Sequence, residues 1–215
     1  MSKSKSKFTT QRIVLTGMLA ALAGVLMSLE ISVPLMPPFY KFDFSGTPAI
    51  IGLFLMGPVE GILIEVIKLV IKLMLTGTNS MYVGELANLI SIFLFIIPTW
   101  LIFTKGKETR KAAVWSLTAS VFIQTAAACL INAFITLPLY ASAMGIPLDK
   151  LVGSFSGGNS SIKNLQTFII FATVPFNLLK TGINSLTGYF LYKRLTAALP
   201  AARNLRPHVK EAVNG

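Results

Sequence analysis

Charge is scarce in this chain. Asp, Glu, Lys and Arg make up 13% of its 215 residues, roughly half the share of a soluble domain. Acidic residues are the scarcest, eight against 19 basic ones. A single cysteine, Cys129, lies inside an apolar run, so no disulfide framework can form within one chain. The single histidine, His208, sits in a polar tail, and no Cys/His metal cluster can be assembled around it. Neither G-x-x-x-x-G-K-[ST] nor H-E-x-x-H occurs, and no nucleophile stands beside a base. These absences exclude ATP hydrolysis by the chain alone, give no support to an enzyme and call for no cofactor. No internal repeat suggests an inverted-repeat transporter.

What is abundant is apolar length. Hydrophobic residues reach 53% and the mean hydropathy is +0.70. Apolar runs cover 13–33, 47–75, 84–104, 112–140 and 165–192, each longer than the ~18 residues that mark a transmembrane candidate. The expectation is an all-α integral membrane protein with one bundle domain over 13–195. A basic segment (1–12) precedes it and a polar tail (196–215) follows. The first run is longer than a signal-peptide core and no A-x-A site follows it, so it reads as an uncleaved span.

The net charge of +11 reports topology and not nucleic acid. Basic residues cluster at Lys3, Lys5, Lys7 and Arg12, at Lys105, Lys107, Arg110 and Lys111, and from Lys193 and Arg194 onward. Short basic flanks mark the cytoplasmic side, and an even number of crossings must separate successive clusters. Three runs lie between the first two clusters. Gly57-Pro58 and Gly61 break the run 47–75 into helices of about 47–57 and 58–75, which restores the parity. Six spans follow, with both termini in the cytoplasm. Segments 34–46, 76–83 and 141–164 then face outward, the last read as a loop with a flexible stretch at 153–161.

With orientation fixed, polar residues inside the spans acquire a depth. Asn177 and Lys180 lie mid-segment in the last run, where a charge is costly and marks a cavity, a partner or a substrate path. The alternative is that Lys180 pairs with a glutamate elsewhere and only holds helices together. Asn177 and Lys180 share a face, as do Glu85 and Asn88, and Asn132 and Thr136. Glu65, Lys68 and Lys72 form a further stripe, read as an ion network, and Glu85 could serve as a lysine counter-ion. Lys41 and Asp43 sit in the aromatic outer segment. Apolar walls with a few oriented polar groups describe a small-molecule pocket, and neutral amides with lysines suit a flat heteroaromatic ligand. At the inner end, Gly17-x-x-x-Ala21 and Ala20-x-x-x-Gly24 let another helix approach closely.

These residues carry a resemblance. Pro37-Pro38-Phe39-Tyr40-Lys41-Phe42-Asp43-Phe44-Ser45, Gly84-Glu85-Leu86-Ala87-Asn88 and Pro175-Phe176-Asn177-Leu178-Leu179-Lys180 resemble the substrate-binding membrane subunits (S components) of energy-coupling-factor (ECF) vitamin transporters. The similarity runs over roughly 10–195 and is greatest to the riboflavin-specific subunits. It implies a six-helix bundle in a bacterial cell membrane with a vitamin site near the outer face. Riboflavin would be transported cargo and not a cofactor. It implies that Lys41, Asn132, Asn177 and Lys180 hold the flavin, with Glu85, Asn88 and Asp43 as further candidates. A membrane scaffold (T component) and two cytosolic ATPases would be partners. The family's Ala-x-x-x-Ala docking stripe falls on Gly17 to Ala21, with glycine in place of the first alanine. Rival readings are an S component for another vitamin or flavin analogue, an ion-coupled secondary transporter using Glu65, Lys68, Lys72 and Lys180, and a ligand-free membrane scaffold.

Overall fold

The computed structural model describes residues 10–34, 36, 40–78, 80–155 and 161–198. The basic residues Lys3, Lys5 and Lys7, the Pro37-Pro38-Phe39 stretch, and the tail from 199 with His208 lie outside the described residues. Helix α1 (Thr10–Ser28) leads into a two-residue strand pair, β1 (Ile31–Ser32) antiparallel to β2 (Lys41–Phe42). The expected first span to about Val33 is therefore too long. Ser28 turns its hydroxyl back to the Gly24 carbonyl, and Pro34 disfavours a helical residue before it.

Helices α2 (Gly46–Leu55) and α3 (Pro58–Thr76) fall where the Gly57-Pro58 break predicts. Gly57 adopts φ +125, a conformation open to glycine, and Pro58 starts the next helix without losing a hydrogen bond. Every α2 residue from Thr47 to Leu55 is buried. Its short length is tolerable because protein surrounds it: α1, α3, α4 and α9 all contact it. Helix α1 lies along α3 through Ala20, Ala23 and Gly24. A Cβ on Gly24 would come within 2.5 Å of Ile71. In lipid, such close packing replaces water exclusion as the force between helices.

Helix α4 (Val83–Lys105) precedes a continuous rod, Arg110–Met144, made of α5 (Arg110–Ile131), a π turn (Asn132–Thr136) and α6 (Leu137–Met144). The last rod repeats the pattern: α8 (Leu165–Phe168), a π turn (Ile169–Thr173) and α9 (Val174–Ala198). Pro138 and Pro175 follow the two π turns by two residues. A proline ring clashes with the carbonyl four residues back, and a widened turn relieves it. Between the rods, α7 (Leu148–Ser154) forms where a loop was expected over 141–164. Leu151 and Val152 dock it against Tyr140 and Phe168. Helix α9 also continues past Tyr192 to Ala198, beyond the expected end of the last span.

Among the described residues, three helical segments, Thr10–Ser28, Val83–Lys105 and Arg110–Met144, are long and apolar enough to cross a membrane. Beneath the cavity described next, Phe54 meets Phe103 edge-on at 4.9 Å between ring centroids, in a core shared by α2, α4 and α5.

Candidate binding cavity

At the end of the bundle where α1 gives way to α2, Tyr40 and the strand β2 lie against α9. Tyr40 is buried and fixes this contact. Its hydroxyl pairs with Thr173 Oγ1 at 2.6 Å and donates to Asn132 Oδ1 at 3.2 Å, so it joins the ends of the two π turns. Its ring stacks on Phe176 at 4.6 Å, and Phe42 leans on the same ring at 5.0 Å. Burial pushes the Tyr40 hydroxyl well above the ordinary tyrosine value, so it stays neutral.

A cavity opens below this roof in two lobes of about 70 and 100 Å³, both lined by Asn88, Ser91, Gln124, Lys180 and Thr181. One lobe runs toward Ala49, Ile50, Phe95 and the Glu65–Lys68 pair. The other runs under Tyr40 and Phe176 to Asn132 and Asn177. A smaller polar recess on the same rim is bounded by Glu30, Lys41, Lys72, Glu85, Asn88 and Lys180. All seven binding residues expected from sequence (Lys41, Asp43, Glu85, Asn88, Asn132, Asn177 and Lys180) line this connected space. Asn132 and Asn177 each donate one amide hydrogen to the carbonyl four residues back, at 2.8 and 2.9 Å. That leaves Asn177 with an oxygen and a second N–H to offer the cavity.

The ion pairs meet expectation in part: Glu85 does serve as a lysine counter-ion, while the other pairings differ. Lys180 does have an acidic neighbour, but it is Asp43 of the roof, at 2.8 Å, and not a glutamate. The Lys180 ammonium also donates to the Lys41 carbonyl at 2.8 Å. Glu85 is taken by Lys72 at 2.6 Å and by the hydroxyls of Thr78 and Ser80. The expected Glu65–Lys68–Lys72 network is therefore split, with Glu65 paired to Lys68 alone. Lys41 pairs with Glu30. Burial pushes the Asp43 carboxyl up, but the Lys180 and Lys68 charges and hydrogen bonds from Lys180 and Ser45 outweigh it and hold Asp43 at about 2.

Several side chains that meet here carried no weight in the sequence reading. Asn184, one turn past Lys180, donates to the Asp43 and Lys180 carbonyls and accepts from Thr47 Oγ1. Its four-residue spacing from Lys180 was the available signal. Thr173 gave none, because threonine is not costly in an apolar segment, and Tyr40 entered only as one aromatic of the outer segment 34–46.

The small-residue stripe of α1 divides. Ala20 and Gly24 are buried inside the chain's own bundle, which corrects their assignment to partner docking: their smallness serves the approach of α3. Gly17 and Ala21 are exposed, and nothing lies within 4 Å of a Cβ placed on Gly17.

The sequence model of the family "ECF transporter, substrate-specific component" matches residues 11–192. The chain belongs to this family. It is 30% identical to the riboflavin transporter FmnP of Bacillus subtilis over 92% of this chain and 98% of that one. It is 27% identical to the riboflavin transporter RibU of Staphylococcus aureus over 86% and 90%. A solved structure of the S component of a bacterial ECF transporter superposes with a TM-score of 0.68 at 26% identity, covering 87% of this chain and 96% of that one. As a member of a transporter family, this S component has a transport role. Its cavity is therefore read as a place for cargo. Among the described residues, no group of three or more His, Cys, Asp or Glu could hold a metal ion.

Proposed function

We propose that this chain is the riboflavin-binding subunit of an ECF-type vitamin transporter in a bacterial cell membrane. The observation that carries the reading is the lobe beneath Tyr40 and Phe176, where apolar and aromatic walls meet the amides of Asn132 and Asn177 and the ammonium of Lys180. An isoalloxazine ring has a broad apolar face and an edge of carbonyl acceptors and one N–H donor. Amides can donate to and accept from such an edge, and lysine can donate to its oxygens. A ligand lacking those partners would leave buried polar groups unpaired and be rejected. The curated relatives described above carry riboflavin in their names, which supports the same cargo here.

In this reading the bundle crosses six times, through α1, α2, α3, α4, α5–α6 and α8–α9, with both ends cytoplasmic. Lys105, Lys107, Arg110, Lys111, Lys193 and Arg194 gather at the ends remote from the cavity, in keeping with an inner face. Riboflavin enters from outside beneath the roof loop. A membrane scaffold subunit and two cytosolic ATPases drive its delivery, with Gly17 and Ala21 as the exposed small residues where the scaffold packs. Lys41, Asp43, Glu85 and Asn88 form the polar rim.

Gentle purification followed by absorbance and mass analysis tests the cargo. Flavin bands and a riboflavin mass are expected, with one flavin bound per chain on titration. Recovery of a different vitamin, with no flavin binding, overturns the assignment. Riboflavin uptake by the chain without any ATPase overturns the ECF mechanism.

A further inference from the structure

Gln124 and Ala128 of α5 and Asn132, which opens the π turn of the same rod, lie at four-residue spacing. All three therefore share one face, and all three line the lobe beneath Tyr40. Eight residues of helix separate Gln124 from Asn132 by about 12 Å. The small Ala128 between them leaves the wall flat. Asn132 has its oxygen on the Tyr40 hydroxyl and one amide hydrogen on the Ala128 carbonyl, which leaves its second N–H for a ligand. Gln124 differs. Its Oε1 is fully enclosed and accepts no hydrogen bond among the described residues. Buried carbonyl oxygens nearly always have a partner, and each exception calls for an explanation. The other enclosed hydroxyls in that condition, on Ser120, Thr136 and Ser185, line neither cavity lobe.

The groups beside Gln124 narrow the chemistry. Asn88, Ser91 and Thr181 line both lobes with it. All are neutral, and each can donate as well as accept. Lys180 is on the same wall but is held by Asp43. Such a set fits a chain of hydroxyls, which also donate and accept without charge. It fits a phosphate poorly, since an anion calls for donors and Gln124 Oε1 offers only an acceptor.

We propose that Gln124, with Ser91 and Thr181, receives the polyol side chain of the ligand, Gln124 Oε1 accepting a hydrogen bond from one of its hydroxyls. The Asn132–Asn177 end then receives the ring edge. This subsite rests on the flavin reading above and adds a specificity-determining residue to it.

The test compares riboflavin with lumiflavin, which keeps the ring but replaces the polyol with a methyl group. In equilibrium titrations of the purified protein, Gln124→Met should weaken riboflavin binding about tenfold, the value of one hydrogen bond. Lumiflavin affinity should stay within about twofold, which also shows that the variant is folded. Equal losses for both ligands, or no loss for either, overturn the subsite while leaving flavin binding intact. A wild-type chain that binds neither flavin overturns the functional reading itself. Should Gln124→Met yield no folded protein, Ser91→Ala probes the same subsite from α4. Selective weakening of riboflavin then supports the proposal, and equal affinities overturn it.

Discussion

The two ends of the bundle handle buried charge differently. Remote from the cavity, Arg12 reaches across from α1 to Glu60 of α3 at 2.5 Å and to the Met56 carbonyl at the α2–α3 break. Glu60 is only 1% exposed, and this pair joins three elements and lines none of the cavity spaces described above. At the cavity end, four lysines pair with four carboxylates: Lys41 with Glu30, Lys68 with Glu65, Lys72 with Glu85 and Lys180 with Asp43. All eight side chains face one of the cavity spaces. The Arg12–Glu60 pair, set apart from those spaces, holds the fold together. Pairs that border a space can exchange a protein partner for a ligand.

The sharpest way to break this contrast is at the remote end. Glu60→Ala removes the carboxylate that bridges α3 to Arg12 of α1 and should lower stability by about 3 kcal/mol, read as a thermal shift in detergent. Riboflavin affinity of the folded protein should not change.

At the cavity end, acid provides the next largest effect. Asp43 is held at about 2, below its ordinary value near ~3.9. A depressed carboxyl stabilises the fold above its unfolded value and loses that contribution as pH falls toward the folded one. The Asp43 contribution, roughly 2–3 kcal/mol, should therefore be complete above about pH 4–5 and lost toward pH 2. In a pH series of melting temperatures, Asp43→Asn should flatten that part of the curve. Lys180→Ala follows: removing a charged donor of about 2 kcal/mol should weaken riboflavin some thirtyfold in titrations of the folded protein. Because it strips the buried Asp43 of its partner, it should also cost stability of roughly 2–3 kcal/mol. Unchanged affinity would sink the site.

The smallest effects separate the halves of the α1 stripe. Gly24→Ala should cost about 1–2 kcal/mol by driving a methyl into Ile71. Gly17→Leu should leave melting within about 0.5 kcal/mol but reduce co-purification with the scaffold subunit.

Much of this was legible because lipid makes polarity informative. Asn177, Lys180, Asn132 and Glu85 stood out as groups an apolar segment would not carry without a reason. Gly57-Pro58 marked the α2–α3 break through backbone chemistry alone. The pairing of charges was not legible, because Asp43 and Lys180 are far apart in sequence and nothing local links them. The π turns were hidden as well. Pro138 and Pro175 announce a disturbance, but not whether the helix kinks, breaks or widens. Helix α7 escaped notice because seven residues ending in Gly153-Ser154 look like a loop until Leu151 and Val152 find a core.

The one-to-one pairing at the cavity has an electrical consequence. The chain carries a net charge of +11, yet the four lysines and four carboxylates at the cavity cancel. A unit charge carried through the whole membrane potential costs or yields about 2.3 kcal/mol per 100 mV. Under the proposed function, a balanced site holding an uncharged vitamin exchanges no such energy with the potential, so its transfer across the membrane would be electrically silent.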